Sequence, residues 1–398
     1  MTVVEFFDKN AIENIVSTLL IKPKKVYFIG GSEKQMNAAI KNYKIVSGKR
    51  SIDTEMECVG VEKKLPKIVE ELTKIVDESD ECGFDLTGGD EIYLVAVGMI
   101  YSKFPDKVKL YRFNIFKGSL NKCDENGCQI HSLPADLTVE ENMLIYGGKV
   151  MFKDENPKGS ERWDFNEEFC RDIVSIWDIC KSCPNEWNNI VNCFDRLNSY
   201  FCDKNSTLVE IDKKVAEGLI YAKGNNPREI FDFINKLKQK KIIHSYVSNN
   251  KTVSFEYKNT QIKHALIGAG KILELFVTIK LKETNLYNDI LTGVFIDWDG
   301  VVNLTNTNVG NEIDVVAMKG MIPIFISCKN GQVLVEELYK LNTVAERFGG
   351  DYARKILIVS DFDKIDAIKT RADEMNIKVI ANFDDKKLEK ELKNLINN

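Results

Sequence analysis

Short apolar runs alternate with amphipathic stretches through residues 1–150, the pattern of strands joined by crossover helices. Lys25-Val26-Tyr27-Phe28-Ile29 predicts a buried strand that stops at Gly30-Gly31-Ser32, with a helix opening at Glu33. Glu55 to Val61 predicts a second strand, and Leu65 to Val76 carries apolar residues at helical spacing. Gly83 to Thr87 predicts a third strand, closed by Gly88-Gly89 and followed by a helix bearing Ile92, Val95 and Ile100. Val108 to Phe113 predicts a fourth.

Strands and helices in this order make a Rossmann-like α/β domain, whose ligands bind beyond the carboxyl ends of the strands. Two strand-to-helix turns lie there, Gly30-Gly31-Ser32 and Thr87-Gly88-Gly89-Asp90. Glycines let a backbone approach a ligand, and free N–H groups and hydroxyls at a helix start can hold phosphate. One such turn alone is better explained as a tight bend. A pair on neighbouring strand ends points to a nucleotide pocket. Neither is a GxGxxG fingerprint or a Walker A sequence, which disfavours a redox dinucleotide or ATP hydrolysis. Asp90 and Glu91 would repel a highly charged phosphate, so bases and riboses are the expected contacts.

Residues 151–260 read as a connector. Trp163 to Tyr200 has helical spacing, a further helix begins at Asn226-Pro227-Arg228, and Ile242 to Tyr257 predicts two strands around Ser248 to Lys251. Helices followed by a β-wing suggest a winged-helix-like unit, with a plain spacer as the alternative. Residues 261–398 form the third segment. A helix carries Ile272, Leu275, Phe276 and Ile279, with Lys271, Glu274 and Thr278 on its other face. Val294-Phe295-Ile296 leads to Asp299-Gly300, a hairpin-turn dipeptide. Asn311 to Val316 and Ile324 to Lys329 predict two further strands joined at Lys319-Gly320-Met321, then a helix to Arg347 and a strand from Lys355. Helix, three antiparallel strands, helix, strand is the core order of a restriction-endonuclease-like α/β fold.

Within that segment Asp314 stands in an apolar strand and Lys329 ends the next one, so the hairpin brings them to one side. A carboxylate able to hold a divalent metal, beside a lysine able to stabilise a pentavalent phosphate, is the minimum equipment of a metal-dependent nuclease. The alternative is a solvated hairpin face.

Composition narrows the partners. The chain has 398 residues and a net charge of −5, with no basic tract, so nucleic-acid contact must come from a local groove or a bound cation. No apolar run approaches the ~20 residues that cross a bilayer, and the N-terminus has no signal pattern, from which a cytoplasmic location and no membrane partner are expected. The ten cysteines have no regular spacing, which suits reduced thiols. Cys180-Lys181-Ser182-Cys183 has the spacing of a zinc half-site, but no second pair completes it. Three scattered histidines disfavour a histidine triad or a two-histidine metal site.

The Asp314 and Lys329 pairing, preceded by a helix bearing Glu274, resembles the PD-(D/E)xK nuclease superfamily. The strings at 311–316 and 326–330, with Arg347-Phe348-Gly349-Gly350, resemble one branch of it. The N-terminal part, with Asp85-Leu86-Thr87-Gly88-Gly89, resembles a CARF domain, the sensor of cyclic oligoadenylates in type III CRISPR systems. Together they resemble the CARF-nuclease effectors of antiviral defence, which implies an endonuclease cutting DNA or RNA when cyclic tetra-adenylate binds, and a homodimer. The resemblance implies Asp314, Lys329 and Glu274 as catalytic residues. It implies that Asp314, Glu274 and the Cys328 carbonyl hold Mn²⁺ or Mg²⁺, and that Gly30, Gly31, Ser32, Thr87, Gly88, Gly89 and Asp90 line the ligand pocket. Ser327 departs from it, standing where the superfamily has an acid; Glu312, Asp297 or Glu274 would have to compensate. The alternative is a ligand-sensing, non-catalytic regulator with a degenerate nuclease domain.

Overall fold

A computed structural model of the chain describes residues 1–123, 129–131, 136–201, 206–268, 270–300, 310–331, 333–360 and 366–395. The chain starts with a strand that the sequence patterns above do not include, β1 (Thr2–Phe6), and a short helix α1 (Val16–Ile21). There follow β2 (Lys25–Gly30), α2 (Glu33–Lys49), β3 (Glu55–Gly60), α3 (Leu65–Glu78), β4 (Cys82–Asp85) and α4 (Glu91–Lys103). The sheet closes with β5 (Val108–Asn114), β6 (Ser119–Lys122) and β7 (Gln129–His131). Their order is β3-β2-β1-β4-β5-β6-β7, parallel from β3 to β5 and antiparallel beyond. The strand order reverses at β1 and β4, which places the ligand crevice of a Rossmann-like sheet at their carboxyl ends.

The polypeptide then enters the second sheet sooner than expected. After α5 (Val139–Ile145), β8 (Lys149–Met151) pairs with β12 (Asp289–Asp297), so a boundary at residue 150 would cut a strand of the C-terminal domain. Between them lie α6 (Glu167–Ser182), α7 (Pro184–Phe201), β9 (Leu208–Asp212), α8 (Lys213–Tyr221), α9 (Pro227–Gln239), β10 (Ile243–Ser248), β11 (Thr252–Tyr257), α10 (Thr260–Leu266) and α11 (Lys271–Glu283). Helix α7, strand β9, two helices and the β10–β11 hairpin, with sheet order β10-β11-β9, give the connector its winged-helix-like form.

The C-terminal domain continues with β13 (Gly310–Lys319), β14 (Ile322–Lys329), α12 (Val335–Gly349), β15 (Arg354–Val359), α13 (Asp366–Glu374), β16 (Ile377–Ala381) and α14 (Asp385–Lys393). Its six strands run β16-β15-β14-β13-β12-β8. The turn at Lys319-Gly320-Met321 is where the pattern placed it. The one expected at Asp299-Gly300 is not a two-residue turn, because β12 and β13 stay paired to Asp297 and Gly310; residues 301–309 of that connection lie outside the described part.

Among the described residues, three apolar clusters hold the molecule together. One packs α3 and α4 on the first sheet. A second joins the connector and α11 to one face of the second sheet. The third is shared: Val26, Phe28 and Tyr43 of the N-terminal domain are continuous with Val294, Val316, Leu341 and Phe348 of the C-terminal domain. The two domains therefore bury one core between them and are coupled by packing as well as by polar contacts. Among the described residues, no helix is long and apolar enough to cross a membrane.

Candidate active site and ligand crevice

The second sheet splits where the candidate acid stands. β13 and β14 pair from Lys319↔Ile322 to Val315↔Ile326 and no further. The next ladder bond would come from the Cys328 N–H. That group instead donates to Asp314 Oδ2 at 2.6 Å, and the Ser327 hydroxyl donates to the same oxygen at 3.1 Å. The carboxylate thus replaces a strand as the partner of β14. Opposite it, Gly293 has φ +59°, a left-handed conformation that glycine adopts without strain. Both strands change faces there. Leu291 and Val294 pack into the same cluster although they are three positions apart, as do Ile313 and Val316. This paired irregularity is what aims an acid out of an otherwise apolar strand.

Lys329 Nζ lies 3.9 Å from Asp314 Oδ2 and 2.8 Å from Glu337 Oε2, in the first turn of α12. Burial pulls the ammonium pKa down, but Asp314 and Glu337 outweigh it and hold it above the ordinary lysine value. Lys329 is therefore a cation at neutral pH. Asp314 is half-buried; burial raises its pKa, while Lys329, the Cys328 N–H and the Ser327 hydroxyl act in the opposite direction.

Glu274 is not on a solvated face. α11 is buried almost all round, Thr278 is fully buried, and Glu274 itself is 9% exposed. Its Oε2 is buried without a hydrogen-bond partner. Burial first, then the charge of Asp314, push its pKa up to about 8, with Glu312 adding to the effect. Two adjacent acids, one of them with an unanswered oxygen, form a site short of positive charge. That donor set fits a divalent cation held by hard oxygen ligands, although among the described residues no three His, Cys, Asp or Glu side chains are gathered closely enough to hold one by themselves. The Cys328 thiol is not such a ligand, because burial and both acids keep it protonated well above its usual range.

The expected compensators for Ser327 are not alike. Asp297 lies at the far end of the β12–β13 ladder, where its Oδ1 accepts from the N–H groups of Asp299 and Gly300. Glu312 is exposed but close enough to act on Glu274. Ser327 contributes a donor that fixes Asp314 in place of a second charge.

In the N-terminal domain, the two glycine turns flank the end of the overlooked β1. A Cβ on Gly30 would stand 3.0 Å from Phe7 Cβ, and one on Gly89 would stand 2.5 Å from Phe6 Cβ. Gly89 has φ +98° and donates its N–H to Asp8 Oδ2 at 3.3 Å, while Gly88 faces Asp8 and Glu13. Both turns thus reach one end of one sheet, with Asp8 between them, a residue that only the position of β1 reveals. Among the described residues they border different cavities. Gly31 and Ser32 border a cleft of about 1310 Å³ with Asp8, Lys63, Trp298 and Arg347, whereas Thr87 borders a separate 300 Å³ pocket with Arg112 and Tyr352. The Thr87 hydroxyl is used internally, donating to Asp85 and accepting from the Phe113 N–H at 2.8 Å. Asp90, at the start of α4, pairs with Lys63 at 2.5 Å.

Comparison with known proteins agrees with this architecture. Residues 263–398 match the family described as Card1-like, endonuclease domain. Protein VC1899 from Vibrio cholerae has the same fold over 100% of this chain and 98% of its own, with a TM-score of 0.74 and 17% identity. Can2 from Sulfobacillus thermosulfidooxidans, solved in complex with cyclic tetra-adenylate, covers 100% and 99%, with a TM-score of 0.65 and 16% identity. A type III CRISPR defence DNA nuclease activated by cyclic oligoadenylate matches over 92% of this chain and 46% of its own, at a TM-score of 0.52 and 13% identity. By sequence, no curated protein matches the chain. Residues 263–398 thus resemble the Card1-like endonuclease domain, on a chain that shares its whole fold with protein VC1899 and Can2.

Proposed function

We propose that the chain is an endonuclease of CRISPR antiviral defence, switched on by a cyclic oligoadenylate and cutting DNA or RNA with the help of Mn²⁺ or Mg²⁺. The observation that carries this reading is the buried, unpartnered Glu274 beside Asp314 and the cationic Lys329. Asp314, Glu274 and the Cys328 carbonyl would hold the cation, which when bound would activate water and neutralise charge on the scissile phosphate. The chain's own groups divide the remaining work. Ser327 and the Cys328 N–H fix the carboxylate of Asp314, and Lys329 supplies positive charge for the phosphate oxygens as negative charge builds.

Cyclic tetra-adenylate is the activator to test first, since Can2 is solved with it. Gly30, Gly31, Ser32, Gly88, Gly89 and Asp90 would meet it at the carboxyl ends of β2 and β4. A symmetric ring suits a homodimer with the pocket on its twofold axis. Leu94, Val95 and Met99 support that reading, being 40%, 54% and 50% exposed on α4, the helix that opens at Asp90. A cytoplasmic enzyme is in keeping with this role.

The winged-helix-like connector and Ser327 favour the second reading, a non-catalytic regulator. Cleavage decides between them. Supercoiled plasmid and single-stranded RNA are incubated with the protein, cyclic tetra-adenylate and Mn²⁺, Mg²⁺ or chelator. Cleavage requiring both activator and metal is expected, faster in Mn²⁺ because a shell with few carboxylates suits the more polarisable ion. No cleavage of either substrate under any of these conditions would leave the regulator.

A further inference from the structure

Lys329, at the end of β14, is held between two acids, and the nearer one is not the candidate metal ligand. Glu337 Oε2 takes its ammonium at 2.8 Å, leaving Asp314 at 3.9 Å. A lysine that must meet a phosphate beside Asp314 is thereby drawn toward α12.

Helix α12 has 15 residues, about 22 Å from end to end. Leu338, Leu341, Val344, Ala345 and Phe348 seat it in the core shared by the two domains. Glu337 stands at one end. The other end runs into Gly350-Asp351-Tyr352, which is fastened to the N-terminal domain. Asn10, itself buried, donates to Asp351 Oδ2 at 3.2 Å and accepts from the Asp351 N–H at 3.2 Å. The Tyr352 hydroxyl donates to Glu13 Oε1 at 2.5 Å. Lys9 adds an exposed ion pair with Asp351, which contributes little by itself. Asn10 is in turn tied to the ligand crevice, because Asp8 accepts from the Asn10 N–H at 2.9 Å and from the Gly89 N–H at 3.3 Å. One continuous set of contacts therefore runs from the glycine turn through Asp8 and Asn10 to α12 and on to Lys329.

We propose that Glu337 is a positioning residue that withholds Lys329 from Asp314 in this resting arrangement, and that α12 carries its release from the Asn10–Asp351 latch. The proposal rests on the reading of the chain as a ligand-switched nuclease. An activator seated against Gly89 and Asp8 shifts the equilibrium to the extent that it favours the unlatched arrangement. Packed helices answer such a bias by small whole-body shifts, and Glu337 moves with the helix that carries it.

The test uses the full chain, plasmid substrate, Mn²⁺ and cyclic tetra-adenylate. Glu337→Gln should raise cleavage without activator about tenfold, within the ~5–150-fold range of such couplings, and leave the activated rate nearly unchanged. Asp351→Ala, at the other end of the helix, should also raise the activator-free rate. It should also tighten cyclic tetra-adenylate binding, read by calorimetry, because a ligand that favours the unlatched arrangement binds more tightly once that arrangement is more populated. Glu337→Asp, keeping a carboxylate, should restore part of the restraint. A merely destabilised protein would not gain activity. An activator-free rate for Glu337→Gln within about twofold of wild type would overturn the proposal, being below the usual range of coupling. So would a fall in the activator-free and activated rates together, which would place Glu337 in the chemistry itself. Wild-type protein that fails to cleave with activator and metal would remove the nuclease reading as well, and that control separates the two failures.

Discussion

Two pairs of acids stand out among the described residues, one within the first sheet and one where α11 packs on the second, and they differ in what answers them. In the first sheet Glu5 of β1 and Asp85 of β4 are each 1% exposed. Thr18 donates to Glu5 Oε1 from its N–H at 3.1 Å and its hydroxyl at 2.7 Å, and Thr87 donates to Asp85 Oδ1 from its own N–H and hydroxyl. The remaining oxygens, Glu5 Oε2 and Asp85 Oδ2, have no other donor. Burial, followed by the charge of Asp85, pushes the Glu5 pKa well above the carboxylate range, so one proton serves the pair. In the second sheet, Asp314 is answered by a lysine, a hydroxyl and a backbone N–H, while Glu274 has no donor for its buried oxygen. The first pair is closed and structural. The second is open, and an open acid pair is where a cation belongs.

Exchanging acids in the two pairs gives the largest contrast. Asp314→Ala and Lys329→Ala should each cut activated cleavage by ~10²–10³ while leaving the fold and activator binding intact. Asp85→Asn should leave the cleavage step unchanged once activator is bound. Near-normal cleavage by Asp314→Ala, measured as single-turnover rate with saturating activator, would end the distinction between the pairs.

Glu274→Gln separates them by pH. With its folded pKa near 8 and an unfolded value near that of a free glutamate, Glu274 binds more protons folded than unfolded between those limits. Metal-free wild type should therefore lose stability as pH rises toward 8, roughly 5 kcal/mol in all. Glu274→Gln should flatten that slope and be the more stable protein at pH 9 in chelator. Added Mn²⁺ should raise the melting temperature of wild type, increasingly with pH as the proton is displaced, and leave the variant nearly unmoved. Parallel melting curves from pH 5 to 9 would contradict the open pair.

The contrast also shows what the sequence could carry. An acid within an apolar strand singled out Asp314, and β13, β14 and α12 lie close to where the spacing put them. Glu5 gives the same signal in Thr2-Val3-Val4-Glu5-Phe6, a strand only five residues long with no turn residues before it, and its role is the opposite. Local pattern states that an acid is buried; only the partners state why. Those partners are distant: Asn10 and Asp351 are 341 positions apart, and Glu337 reads locally as an ordinary first-turn acid of a helix. The two-strand change of face at Gly293 and Asp314 likewise has no signature in either strand alone. Glu274 shares the polar side of its helix with Lys271 and Thr278, which reads equally as a solvated face, and its burial beside Asp314 comes from the packing of α11 on the second sheet.

The smallest effect is the sharpest check on the closed pair. Glu5→Gln keeps an oxygen to accept from Thr18 and gains an amide N–H to donate to Asp85, so every contact of the pair survives without a titrating proton. In wild type, stability supplied by that proton is present at low pH and lost as pH rises through the raised folded pKa of Glu5. Relative to wild type, the variant should be more stable at pH 9 than at pH 5, with cleavage and the Mn²⁺ response unchanged. Denaturant unfolding at the two pH values measures this. A variant that loses stability equally at both would mean that the two carboxylates do more than share a proton, and a variant that loses its Mn²⁺ response would mean that the first pair is open as well.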